Sequence, residues 1–376
     1  MSDLARSIGK SKLSKPPTTD SKIPEEEQDD SSSASSVSST GTVVPTPSQK
    51  EQAAPHIEWT NYFEQELWLE HAFDNGERAK YHVYATPPAA HSKTPLMVLH
   101  HGAGSSALSF ALFAQEVRRQ MPDVGIVAVE AREHGSVVYD ASGVVDTSMA
   151  LASLSRDLVT MIRLAQARLG LESQQLLLVG HSLGGAVVTD AAKSGALDPQ
   201  VLGYAVLDVV EGSAMDALKH MQAYLRARPS VFSSIDDAVA WHLRSRTLRN
   251  PDSARASVPS LLVRADGGKW VWKTDLSRTE AYWSDWFGGM SGKFLTARGA
   301  KLLLLAGTDR LDKELMIGQM QGKFQLQVFP AAGHFLQEDL PDQVATSVVE
   351  FLKRNDRSAL VLPPKVSDLI AQGKKV

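Results

Sequence analysis

The run Leu176-Leu177-Leu178-Val179-Gly180-His181-Ser182-Leu183-Gly184-Gly185-Ala186-Val187-Val188 decides the fold. Four consecutive apolar residues without alternation predict a strand buried on both faces. The small residues after Gly185 suit a closely packed helix. Between them, Gly180-His181-Ser182-Leu183-Gly184 fits a turn too tight for a Cβ at either glycine. A serine at the apex of such a strand, turn and helix sits in a nucleophile elbow, so Ser182 is the candidate nucleophile.

Working outward, apolar runs at Leu96–Leu99, Ile126–Val129, Tyr204–Leu207, Lys301–Leu305 and Phe324–Phe329 predict further strands, with helical spacing between them. The helix over Met149–Leu169 is the clearest, with Leu151, Leu154, Leu158, Met161, Ile162 and Ala165 at three- and four-residue steps. Ahead of these, Leu67-Trp68-Leu69 and Tyr81-His82-Val83-Tyr84 flank Asp74-Asn75-Gly76, which predicts an antiparallel hairpin. Strands alternating with helices imply an α/β protein with a doubly wound sheet. A mostly parallel eight-stranded sheet with a leading hairpin is the α/β-hydrolase layout. Residues of about 211–296 are helical sequence that no sheet strand needs, and they carry Trp241, Trp270, Trp272, Trp283 and Trp286. A cap over the site is expected there, its tryptophans either filling the cap's own core or lining an apolar site.

Composition narrows the function. The 376 residues allow one large domain, taken as residues 56–357. A net charge of −4 gives no basic excess for nucleic acid or an anionic membrane surface. With no cysteine, thiolate chemistry, disulfides and cysteine metal sites are excluded. No run of 18 apolar residues or signal-peptide core occurs, so a cytoplasmic or nuclear setting is expected and secretion is not. Residues 1–55 combine a basic patch, an acidic run at Glu25–Asp30 and a Ser-rich stretch, and read as a solvated, disordered tail; residues 358–376 form a second tail.

A serine hydroxyl needs a base to take its proton and a carboxylate to orient that base, in the chain order Ser, acid, His for this fold. Three histidines follow Ser182. His220 and His242 sit in helical cap sequence, whereas His334 in Ala332-Gly333-His334-Phe335 lies just beyond the last strand, which makes it the expected base. Two aspartates stand at strand ends, Asp208 and Asp309, and position alone leaves the acid open between them. The oxyanion of an acyl-transfer intermediate needs backbone N–H donors. Leu183, after the nucleophile, supplies one, and Ala103 in His101-Gly102-Ala103-Gly104 the other. His101 and His181 are expected to support this turn. No metal-ligand spacing or phosphate-binding loop is present, and no cofactor or metal is expected.

Five stretches make the chain resemble the protein phosphatase methylesterases. They are Ser105-Ser106-Ala107-Leu108-Ser109-Phe110, the elbow itself, Asp208-Val209-Val210-Glu211-Gly212-Ser213-Ala214-Met215-Asp216-Ala217-Leu218, Arg249-Asn250-Pro251-Asp252-Ser253-Ala254-Arg255, and Leu302–Asp342 with Ile317-Gly318-Gln319-Met320-Gln321-Gly322-Lys323-Phe324-Gln325. Glu130-Ala131 departs from the Asp-Leu usual at that strand exit. The resemblance implies an enzyme that removes the methyl ester from the C-terminal leucine of the protein phosphatase 2A catalytic subunit, its partner. It also implies that Asp208 is the triad acid. A general small-ester hydrolase and a phosphatase-binding inhibitory protein are the rival readings, and a phosphatase-docking surface is expected around Glu211–Arg255.

Overall fold

The computed structural model describes residues 58–307 and 311–356. The expected tails and Asp309 therefore lie outside the described residues.

The main sheet is built from β1 (Gln65–Ala72), β2 (Arg78–Thr86), β3 (Leu96–His100), β4 (Ile126–Val129), β5 (Val137–Tyr139), β6 (Leu176–His181), β7 (Val201–Leu207), β11 (Ala300–Leu305) and β12 (Gln325–Val328). Its path runs β1-β2-β4-β3-β6-β7-β11-β12, with β5 pairing off β2. The β1/β2 hairpin is antiparallel, Gln65 facing Ala85, and β2 is antiparallel to β4. From β4 to β12 every pairing is parallel. The elbow strand β6 occupies the centre and all six of its residues are buried. Among the described residues the sheet has the expected eight strands on its path plus β5 off it, because Val137-Val138-Tyr139 is too short to show a period in sequence.

Alternation along the central strands sends side chains to two cores. Leu176, Leu178, Val206, Leu303 and Leu305 pack on one face with α2 (Leu151–Leu169) and α3 (Leu183–Ser194). Leu177, Val179, Ala205, Leu207, Leu302 and Leu304 pack on the other with α1 (Ala111–Gln120) and α11 (Pro341–Asn355). Each fully buried leucine contributes about 1.5–3 kcal/mol. The α2 helix buries the predicted stripe and ends at Gly170, whose φ of 69° supplies the left-handed cap.

Between β7 and β11 the chain forms α4 (Glu211–Ala227), α5 (Ile235–Arg244), α6 (Pro251–Ser257), α7 (Trp283–Phe287) and α8 (Met290–Thr296). This segment also holds a small antiparallel sheet in which β10 (Trp270–Trp272) lies between β8 (Val231–Phe232) and β9 (Leu262–Arg264). A purely helical cap was the expectation; the strands are two or three residues long and leave no periodic signal. Asn250 caps α6 by accepting the Asp252 and Ser253 amides, with Pro251 at the first helical position. The tryptophans divide by role. Trp283 and Trp286 are buried, and the Trp286 indole donates to Met149 O at 2.7 Å, whereas Trp272 faces the site cavity. Among the described residues no helix is long and apolar enough to cross a membrane.

Candidate active site

The turn after β6 needs both of its glycines. A Cβ on Gly180 would meet Gly184 O at 2.1 Å, and one on Gly184 would meet His100 O at 2.2 Å. Between them Ser182 adopts φ 52°, ψ −120°, a conformation that costs a non-glycine residue about 1–3 kcal/mol. Its amide donates to Leu207 O at 3.0 Å, and its carbonyl accepts the Gly185 amide at 2.8 Å. The side chain is thereby presented to a cavity of about 630 Å³.

Asp208 follows β7 directly and is also held at positive φ, 51°. Its amide donates to Leu304 O on the neighbouring strand, and its Oδ1 accepts the Ala306 amide at 2.9 Å. The remaining oxygen, Oδ2, faces His334 Nδ1 at 2.9 Å. That carboxylate is fully buried, whereas the His334 side chain is 46% exposed, so the ring has one nitrogen committed to Asp208 and its other edge open. The loop carrying His334 is fixed twice over. Asp339 Oδ2 accepts the Gly333 amide at 2.6 Å, and His181 Nε2 donates to the His334 carbonyl at 2.8 Å. Burial, with the nearby His334 ring adding to it, pushes His181 down to about 3 and keeps it neutral.

The loop Gly102–Ser105 forms the opposite wall. His101 donates Nδ1–H to Gly102 O at 2.8 Å and accepts the Ala131 amide at Nε2. His134 donates Nδ1–H to Arg132 O and accepts the Gly104 amide at 2.8 Å, which takes that N–H out of the cavity's chemistry. Burial depresses both imidazoles, His134 to about 4, so the tautomers this network needs persist at neutral pH. Glu130 Oε2 lies 3.5 Å from His101 Nε2, but this is not an ion pair, because that nitrogen's lone pair already accepts Ala131. Beneath the loop, buried Arg132 bonds Asp157 through two nitrogens at 2.6 and 3.0 Å and reaches Asp146 at 2.9 Å. Leu183 sits at the first position of α3, where its N–H has no acceptor within the helix.

Ser182, Asp208, His334 and Ala103 therefore line one cavity, with Leu183 next to the serine. No hydrogen bond joins the Ser182 hydroxyl to His334 among the described residues. Such an array has parts for acyl transfer: a strained serine and a carboxylate-bound imidazole on one cavity.

The "Alpha/beta hydrolase family" profile matches residues 97–347. Among solved structures, an E-2-(acetamidomethylene)succinate hydrolase superposes with a TM-score of 0.59 at 20% identity, covering 77% of this chain and 100% of that one. The peroxisomal alpha-beta-hydrolase Lpx1 of Saccharomyces cerevisiae gives 0.58 at 13% identity, over 82% and 94%. Protein phosphatase methylesterase 1 of Aspergillus fumigatus is 54% identical over 99% of this chain and 93% of its own length. The protein of the same name from Schizosaccharomyces pombe is 44% identical over 82% and 88%. The chain belongs to the protein phosphatase methylesterase family.

For a methylesterase of this family the expected cap does line the cavity, Trp272 among its residues, but the polar side chains it contributes were not expected. His220 and His242, set aside as helix residues, both line the cavity, as does Arg228. His242 is buried, donates Nδ1–H to Ala238 O and is pushed down to about 4 by burial. One signal was present in the sequence. Ala214, Leu218 and Met221 recur at helical spacing along α4, yet no residue of that helix is fully buried, because the stripe lies between the edge of one core and the methylesterase cavity.

Proposed function

We propose that the chain is a serine methylesterase that removes the methyl ester from the C-terminal leucine of the protein phosphatase 2A catalytic subunit, with Ser182, His334 and Asp208 as its triad. Ser182 Oγ attacks the ester carbonyl while His334 Nε2 takes the hydroxyl proton. Asp208 accepts Nδ1–H and stabilises the imidazolium. The tetrahedral oxyanion rests on the Ala103 and Leu183 amides, each worth about 3 kcal/mol. Collapse breaks the bond to the methoxy oxygen, which leaves as methanol with the proton from His334. Water then attacks the acyl-serine, His334 again taking a proton, and the free carboxylate departs as Ser182 regains its hydrogen.

What carries the reading is the conjunction, in one cavity, of an elbow serine and a histidine bonded to Asp208, in a chain 54% identical to a protein phosphatase methylesterase 1. A methyl group offers little binding energy, so selection falls to what precedes it. The apolar stripe of α4 suits the leucine side chain. The open edge of His334 leaves its contact with Ser182 to close once the ester is seated.

Mass spectrometry of the methylated phosphatase catalytic subunit, incubated with wild type or Ser182→Ala, tests this. Methyl loss with wild type alone is expected. An intact ester in both, alongside cleavage of short acyl esters by wild type, would retain the esterase chemistry and overturn the substrate.

A further inference from the structure

The charge on the cavity wall does not balance. Of the carboxyl groups lining it, Asp208 is bonded to His334, and Glu338 is wholly buried and accepts the Ser257 hydroxyl at 3.1 Å. Against these stand two guanidinium groups from the cap, Arg228 and Arg246, and among the described residues neither has an ion-pair partner. Asp275, whose charge reaches Arg228, is committed to the amide and hydroxyl of Ser277.

Arg228 is half-buried and fixed in place, whereas Arg246 is exposed at the cavity wall. Arg228 stacks its guanidinium over the Trp272 ring at 4.5 Å, and the Trp272 indole is in turn anchored to Pro229 O at 2.7 Å. A planar cation fixed against an aromatic face keeps its N–H edge free and loses little freedom on binding. Arg246 lies just past the end of α5 at φ 57°, in the left-handed position where glycine is the unstrained residue. A long cationic residue occupies a place that backbone geometry would give to glycine, and it lines the same cavity as Arg228. Strain retained at a site of this kind marks a functional demand on the side chain.

We propose that Arg228 and Arg246 form an anion subsite on the cap wall of the cavity, selecting substrates that carry a carboxylate or phosphate side chain ahead of the esterified C-terminus. The inference rests on the esterase reading for its place in turnover, though not for the binding itself. Two hydrogen-bonded guanidinium contacts in a partly desolvated cavity discriminate an anion from its neutral isostere by roughly tenfold.

The test uses peptides ending in leucine methyl ester, with Glu against Gln, and phosphoserine against serine, scanned through the positions preceding the ester. With wild type, kcat/KM is expected to favour one anionic member of a pair by roughly tenfold, less at high salt. In Arg228→Gln/Arg246→Gly that ratio is expected to fall to about one. Arg246→Gly relieves the positive φ, so a melting temperature at or above wild type certifies its fold. A wild-type ratio near one at every position, or a ratio unchanged in the double variant, overturns the subsite. Calorimetric titration of Ser182→Ala with the same peptides separates the two claims. If wild type cleaves none of them, the leucine methyl ester reading fails, while the measured affinities still decide the subsite by the same ratio.

Discussion

His181 donates its Nε2–H to the backbone carbonyl of His334 across 2.8 Å, so the residue before the elbow serine holds the main chain of the proposed base. The strand that sets Ser182 thereby also sets the loop, 153 residues away, that carries His334. Removing the bond by His181→Ala is expected to lower kcat roughly tenfold, equivalent to about 1.4 kcal/mol, with KM little changed. Stability should fall by about 1–3 kcal/mol. Unchanged kcat in a folded variant would reduce the bond to a structural one.

Asp208→Asn is expected to lower kcat by about 10⁴, because an amide favours the wrong His334 tautomer. Asp309→Asn, the other aspartate that position alone allows, is expected to stay within about threefold of wild type. Steady-state kinetics on a methyl ester peptide compares the two, and the opposite ranking would transfer the acid role to Asp309.

Ser182→Gly should abolish turnover yet raise stability by about 1 kcal/mol, since glycine accepts φ 52°, ψ −120° without strain. Urea unfolding measures it. A less stable glycine variant would mean that the elbow holds no strain.

The elbow glycines separate steric from conformational cost. Gly184→Ala drives a methyl group to 2.2 Å from His100 O and should destabilise by more than about 3 kcal/mol, or prevent folding. Gly195→Ala, at φ 73° with its nearest contact at 3.5 Å, should cost only about 1 kcal/mol. Equal losses would contradict the close approach in the turn.

Glu130 supplies a pH test. Burial raises its carboxyl to about 7, while Oε1 accepts the Ala107 amide at 3.0 Å. A raised acid pKa gives stability that is complete below the unfolded value near 4.5 and is lost as pH climbs through 7. Glu130→Gln should match wild type below pH 4.5 and exceed it by about 3 kcal/mol above pH 8. A pH-independent difference between the two would rule out the buried proton.

Sequence and structure agree most closely where a single run of residues carries the signal. The apolar blocks at Leu96, Ile126, Leu176 and Lys301 became central strands within a residue or two, since a strand buried on both faces must be uniformly apolar. His334 was singled out because few histidines follow the serine, and it lies beside Asp208. Pattern fails where a feature is assembled from distant pieces. Arg228, His242 and Trp272 come from three separate cap elements and meet only in the folded chain. The positive φ at Arg246 is likewise invisible in a residue type that seldom adopts it.

The whole cap leaves the sheet after β7 and returns at β11, and those two strands are direct hydrogen-bonded neighbours, with Ala300 beside Gly203. Its two roots therefore sit side by side, and Asp208 reaches across that junction to the amide of Ala306. Inheritance can treat the excursion between them as one replaceable paragraph. Changes within it reshape the cap wall of the cavity, while Asp208 stays anchored to the sheet on either side.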